Sequence, residues 1–201
     1  FVCLWIIYGK VVHHVQKNLS VFVLEYLDAV FISHEDYDHC GALTSLKEHF
    51  KVKKVIYDFK KKTIGDLVFK NLALDKYYTN SNDRSSIIYV TINRLNYLFT
   101  GDISKEVESD LYQTYHHLDV DVLKVAHHGS SSSSSDDLFK MIDPKVALIS
   151  VGKNNRYRHP SYLTLNRLEA YGVKIYRSDL QGMVKIVYYG GKNYVMTSSG
   201  F

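Results

Sequence analysis

The chain has 201 residues, 46% of them hydrophobic, enough for one globular domain with a sizeable core. Its net charge of +4 and pI of about 8.8 are mildly basic, which suits a polyanionic substrate without specifying one. Two cysteines, Cys3 and Cys40, exclude a disulfide framework, and no run of about 18 apolar residues occurs.

In chain order, the apolar stretch Phe1 to Tyr8 reads as a strand. It is short and has no charged segment before it, so it is not read as a signal peptide. The first residue is not Met, and the chain is expected to be a fragment or to start away from the domain boundary. Residues 10–27 follow a weak 3.6-residue period and predict a helix. Residues 29–32 predict a buried strand, Leu43 to His49 a helix, and Val52 to Tyr57 a strand. Lys60-Lys61-Lys62 is read as a solvated turn. Strands are expected over 66–69 and 72–78, then a loop from Thr79 to Ser85. Ile87 to Ile92 and Tyr97 to Thr100 predict two strands joined by a polar turn at Asn93-Arg94. Lys105 to Tyr115 predicts a helix and Val120 to Ala126 a strand. Six serines, Ser130 to Ser135, form a flexible or capping stretch before a helix over Asp136 to Ile142. The remaining elements are a strand at Val146 to Val151, a polar loop at 152–161, a helix at Leu163 to Tyr171, a strand at Val173 to Tyr176, and a terminal hairpin arm at Val184 to Tyr189. Interleaved strands and helices imply an α/β architecture with helices outside the sheets.

Chemistry concentrates where strands end. His34-Glu35-Asp36-Tyr37-Asp38-His39 follows the apolar run Ala29 to Ile32. Imidazoles and carboxylates so closely spaced suit a divalent metal, and the carboxylates shift preference toward harder ions. Thr100-Gly101-Asp102 and Ala126-His127-His128-Gly129 each end another apolar run. Cys40, beside Gly41, is read as a small packing residue with a ligand role conceivable. His13-His14 reads as ordinary surface, and His116-His117 as a helix C-terminal pair favourable to the dipole. Seventeen tyrosines fill strands well, and a tyrosine-rich surface also stacks on unpaired bases.

The pattern His34-x-Asp36-x-Asp38-His39-x-Gly41 resembles the His-x-His-x-Asp-His signature of the metallo-β-lactamase superfamily. It resembles more narrowly the C-terminal domain of the ComEC/Rec2 competence proteins. Those carry Asp in place of the second His, a Thr-Gly-Asp, a His-His-Gly-Ser and an Asn-Arg-Tyr-x-His-Pro. Here these are Asp36, Thr100-Gly101-Asp102, His127-His128-Gly129-Ser130 and Asn155-Arg156-Tyr157-Arg158-His159-Pro160. The resemblance runs from about residue 28 to 187, within a single domain taken as residues 1–201.

The resemblance implies a four-layer αββα sandwich and a site for two divalent ions, Zn or Mn. His34 and Asp36 would bind the first ion, Asp38, His39 and His128 the second, and Asp102 would bridge them. Asp38 and Asp102 are the carboxylates expected to act in catalysis. His127 would orient the loop or touch substrate, with His127 against His128 as ligand left open. Ser130, Asn155, Arg156 and His159 are the further substrate-side candidates. The 152–161 loop also carries Lys153, Tyr157 and Arg158, a basic and aromatic mixture that suits single-stranded nucleic acid.

Two departures from the family stand out. A further His, expected before the strand leading to Thr-Gly-Asp, is missing from Asn80 to Ser85, leaving Asn82 or Asp83 as substitutes. The family's opening Asp-Val-Gly-Gln-Gly-Asp strand pair is also missing, so one sheet is expected to lack its N-terminal strands.

The function implied is a metal-dependent phosphodiesterase or nuclease domain of a DNA-uptake channel protein, acting on single-stranded DNA. It would lie at the extracellular face of the bacterial plasma membrane. Its membrane portion would be in the same or a separate chain, and no nucleotide cofactor is expected. The rival readings are a small-molecule metallohydrolase of the same fold, cleaving a phosphodiester, lactone or thioester, and a DNA-binding module without turnover.

Overall fold

A computed structural model of the chain describes residues 26–198. The predicted strand over 1–8, most of the predicted helix over 10–27, and His13-His14 lie outside the described residues. The part of that helix inside them is a strand instead. Tyr26–Leu27 forms β1 and pairs in parallel with β3, Lys51–Val52. Val30–Phe31 forms β2 and pairs in parallel with β4, Val55–Ile56, so the single strand expected over Val52 to Tyr57 is two short ones. Between them run the helical turn α1, Tyr37–Cys40, and α2, Leu43–His49.

The main sheet has seven strands. These are β5 (Lys61–Ile64), β6 (Leu67–Asn71), β7 (Ile88–Ile92), β8 (Leu95–Phe99), β9 (Val122–Lys124), β10 (Val146–Ile149) and β11 (Lys174–Arg177). They lie side by side in order β11-β10-β9-β8-β7-β6-β5. From β5 to β8 the pairing is antiparallel, and from β8 to β11 it is parallel. Tight turns join β5 to β6 and β7 to β8, a longer loop over residues 72–87 joins β6 to β7, and the parallel set needs helical crossovers. Those are α3 (Lys105–Tyr115), α4 (Asp136–Ile142) and α5 (Tyr162–Ala170). The Asn93-Arg94 turn between β7 and β8 has positive φ at both residues, the conformation a two-residue hairpin loop requires. The short helix α6 (Ser178–Gln181) and the hairpin β12 (Val184–Tyr189) and β13 (Lys192–Thr197) follow.

Alternation along the strands builds two faces. Leu98, Leu123, Ala147 and Ile149 point toward α3, α4 and α5, packing with Val107, Leu111, Leu138, Phe139 and Leu168. Tyr97, Val122 and Val90 point the other way, packing with Phe31 of β2 and Ile186 of β12. A third cluster, Val30, Ile32 and Leu46, seals α2 onto the far side of the short strands. Helices, sheet, second set of strands and helix therefore stack in the expected αββα order.

Two local expectations are corrected and one alternative is decided. Lys61 and Lys62 belong to the edge strand β5, paired with β6, where exposed lysines blunt an otherwise open edge. Residues 72–78 form no strand. Of the two readings of the serine run, flexible or capping, the capping one holds: Ser135 caps α4 by accepting the Leu138 N–H, and Ser133 and Ser134 are fully buried while Ser131 and Ser132 are exposed. Buried Glu108 of α3 holds this loop by accepting the Ser134 and Ser135 N–H groups, each at 2.7 Å.

Candidate metal centre

Three strand ends converge on one rim. The loop after β2 delivers His34, Asp36, Asp38 and His39. Asp36 stands just before α1 in extended conformation, and the helical turn then carries Asp38 and His39 together. The turn after β8 delivers Asp102. Gly101 has φ +55°, and a Cβ there would lie 2.4 Å from the Ser85 Cβ. Only glycine allows that approach. Gly101→Ala is therefore expected to lower the melting temperature and weaken divalent-metal binding, read by thermal unfolding and metal titration of the same sample. The segment after β9, Ala126–Gly129, delivers His127 and His128, both at positive φ.

Asp38, His39, Asp102 and His128 bring one donor atom each to within 4.8 Å of one another. His39 Nε2 is 3.2 Å from Asp102 Oδ2. His128 Nε2 is 3.3 Å from Asp38 Oδ2 and 3.7 Å from Asp102 Oδ2. His127 Nε2 is 4.0 Å from Asp102 Oδ2 and lies outside the group, so the geometry favours His128 as the inner donor. Asp102 is buried, whereas the Asp38 side chain is 56% exposed. His34 and Asp36 flank the group, 3.7 Å apart, with the His34 ring 4.0 Å from the His39 ring. Cys40 packs beside Leu46 and donates to the Glu35 carbonyl at 3.2 Å, outside the donor group.

The imidazoles are oriented from behind. His128 Nδ1–H donates to the Ser150 carbonyl at 2.7 Å, leaving Nε2 as a lone pair aimed inward. Ser85 Oγ donates to the Asn82 carbonyl at 2.6 Å and accepts the Asp102 N–H at 3.1 Å. His34 Nδ1 lies 3.1 Å from both Ser85 Oγ and Ser33 Oγ; with its proton on Nδ1, donated to Ser85, Nε2 is a free lone pair. Ser33 Oγ is 2.9 Å from His39 Nδ1.

Electrostatics keep these donors ready for a cation. Burial, with the neighbouring His39, lowers His34 to about 4. Burial, then the Lys124 ammonium, lowers His128, so both rings are neutral at pH 7. Burial alone would raise Asp102, but the His39 hydrogen bond and Lys124 outweigh it and hold the carboxyl far below its usual range. His34 Nε2 is buried with no hydrogen-bond partner, and Asp102 Oδ1 faces the Lys124 ammonium at 3.7 Å. Neutral imidazoles around an ionised, buried carboxylate fit a divalent cation.

The substrate-side candidates divide. Ser130 is buried, its hydroxyl 2.9 Å from Ser132 Oγ and its carbonyl accepting from Thr164. The Asn155 amide is used within its own loop, accepting the His159 N–H and donating to the His159 and Gly152 carbonyls. His159 lies edge-on to His127 at 5.8 Å and stacks on Tyr157 at 5.8 Å. Arg156 lies over the Tyr157 ring and donates to its hydroxyl. A line of rings thus leads from the centre to the surface. Asp83, a substitute donor by sequence, instead accepts the Ser104 N–H at 2.6 Å at the start of α3.

Sequence reasoning missed Lys124. It is buried on β9, 3.7 Å from Asp102 Oδ1 and donating to the Gly101 carbonyl at 3.1 Å. Its signal was a charge inside the apolar run Val122-Leu123-Lys124-Val125.

Comparison with known proteins agrees with this picture. Residues 24–84 match the model of the metallo-beta-lactamase superfamily. A solved structure described as CmlA beta-hydroxylase E377D mutant superposes with TM-score 0.52 at 12% identity, over 78% of this chain and 44% of that one, a likeness of fold alone. The chain belongs to the metallo-β-lactamase superfamily, a fold that implies divalent-metal binding. Within it, the chain is similar to competence proteins of the ComEC/Rec2 type. It is 30% identical to ComE operon protein 3 of Bacillus subtilis (strain 168) over 88% of this chain and 26% of that protein. It is 28% identical to Recombination protein 2 of Haemophilus influenzae (strain ATCC 51907 / DSM 11121 / KW20 / Rd), over 81% of this chain and 22% of that protein. The chain thus spans about a quarter of the length of these relatives.

Proposed function

We propose that this chain is a single metal-dependent hydrolase domain that cleaves phosphodiester bonds in single-stranded DNA, as part of a DNA-uptake protein. The observation that carries the reading is the convergence of Asp38, His39, Asp102 and His128 at the rim of the sheet. A divalent cation, Zn or Mn, would supply Lewis-acid stabilisation and an ionised water at neutral pH. Asp38, His39, Asp102 and His128 would hold one ion, with His34 and Asp36 the donors left for a second. Asp102 stays ionised through its His39 and Lys124 contacts, and His128 stays neutral with its proton on Nδ1. His127 and His159 face the substrate side.

The open rim favours a polymer over an enclosed small molecule. Asp38 is half exposed, and the Arg156-Tyr157 pair extends outward with Tyr157 63% exposed. Stacked rings with an arginine suit bases and phosphates of a single strand. The similarity to proteins of the ComEC/Rec2 type supports a setting in DNA uptake. In that setting the domain would lie at the outer face of the plasma membrane, beside a membrane portion in the same or another chain. No helix among the described residues is long and apolar enough to cross a membrane.

The test is cleavage of an end-labelled single-stranded oligonucleotide with Mn²⁺ or Zn²⁺. Metal-dependent cutting is expected. Hydrolysis of a small phosphodiester alone would transfer the reading to a small-molecule hydrolase. Oligonucleotide binding without either reaction would leave a binding module.

A further inference from the structure

We infer that Lys124 closes the second cation position of this centre, so that the protein carries one tightly held ion at Asp38, His39, Asp102 and His128. This rests on the metal-centre reading above and refines its two-ion expectation. A second ion would need His34 Nε2, an Asp36 oxygen and Asp102 Oδ1. Asp102 Oδ1 already faces the Lys124 ammonium at 3.7 Å. Lys124 is fixed in place: its side chain is 4% exposed, and its Nζ donates to the Gly101 carbonyl at 3.1 Å. Its own backbone carbonyl accepts from the Thr100 hydroxyl at 2.9 Å, tying β9 to the turn that bears Asp102.

A divalent ion on Asp102 Oδ1 would share that carboxylate with the Lys124 ammonium, and buried like charges repel strongly. No other donor compensates. Ser85, in the stretch where the family's further His is expected, has its hydroxyl taken by the Asn82 carbonyl, the Asp102 N–H and His34 Nδ1. The Asp83 carboxylate is taken by the Ser104 N–H. Two protein donors, one on the exposed Asp36, are fewer than stable divalent sites use. The four-donor group meets this charge less directly, because it approaches Asp102 through Oδ2. Lys124 is thus a positioning residue. Its charge neutralises half of the Asp102 carboxylate and presents the other oxygen to a single ion.

The experiment measures Mn²⁺ stoichiometry by equilibrium dialysis and elemental analysis, beside titration monitored by Mn²⁺ electron paramagnetic resonance. The purified protein is compared with Lys124→Gln, Lys124→Met and Lys124→Gln/His34→Ala. Gln keeps an amide donor for the Gly101 carbonyl but carries no charge. The wild type is expected to hold about one ion as an isolated spin. Lys124→Gln is expected to tighten the second site at least tenfold, giving about two ions, spin-coupled through Asp102, and the His34→Ala double variant to return to one. The order of these effects follows from removing one like charge a few ångströms away. Two tight ions in the wild type would overturn the inference. So would a single ion in both folded Lys124 variants. If neither variant folds, the wild-type stoichiometry and spin signal decide alone. No ion in the wild type would instead sink the metal-centre reading itself.

Discussion

Asp102→Ala is expected to abolish stable metal binding and to reduce metal-dependent hydrolysis by roughly 10²–10³-fold or more, the range for losing one preorganised electrostatic contact. Asp102 is approached by His39 at 3.2 Å, His128 at 3.7 Å and Lys124 at 3.7 Å. No other carboxylate among the described residues has that set of neighbours. The substitution also leaves the Lys124 ammonium buried without its anion. Breaking a buried pair in this way costs about 3–5 kcal/mol. Asp102→Asn also removes the anion that Lys124 faces but keeps the volume and a polar acceptor, so it isolates loss of the charge from loss of the side chain. The measurement is metal content, cleavage rate and thermal unfolding on the same preparations. An Asp102→Asn protein that binds metal and cleaves at the wild-type rate would rule out the assignment.

Glu108→Ala should produce a comparably large effect on stability with no ligand of the centre touched. Both carboxylate oxygens accept backbone N–H groups of the serine loop, from Ser134 and Ser135. Alanine strands both donors, and each unsatisfied buried group costs about 1–3 kcal/mol, so a loss of about 2–5 kcal/mol is expected in urea unfolding. The residue also imposes a pH dependence. Burial raises its carboxyl from 4.5 to about 7, against the pull of the Ser135 and Ser134 hydrogen bonds. The folded state therefore binds the proton more tightly than the unfolded state does. Glu108's contribution is fully present below pH 4.5 and is lost as pH rises through about 7. Glu108→Gln cannot titrate and should flatten the stability profile between those limits. A wild-type profile that rises over that window, with the Gln variant parallel to it, would refute the assignment.

Much of the main sheet was legible because local signals agreed with the final packing. Lys105–Tyr115 and Asp136–Ile142 occur with the predicted boundaries, since their apolar spacing is the same face they bury on the sheet. The Asn93-Arg94 turn was legible as a polar break between two apolar runs, with Asn93 of a type that takes positive φ readily. The Lys61–Ile64 strand was not, because an edge strand owes its conformation to the neighbour it pairs with, and its exposed side chains carry no apolar period. Tyr26–Leu27 was misread for a similar reason. Two residues hold strand geometry only through pairing with Lys51–Val52.

At the centre, the types and order of the candidate donors are written in the chain: His34, Asp36, Asp38 and His39, then Asp102, then His127 and His128. Ligand chemistry resides in the side chain and needs no neighbour to be recognised. The orientation of the adjacent histidines emerges from the fold, because positive φ at both turns His128 inward onto Ser150 and His127 outward toward His159. The fold alone withdrew Ser130 and Asn155 into the protein's own hydrogen bonds and Asp83 into the start of α3. It alone brought Lys124 to Asp102, for a buried charge becomes meaningful only when the fold supplies its partner and excludes water.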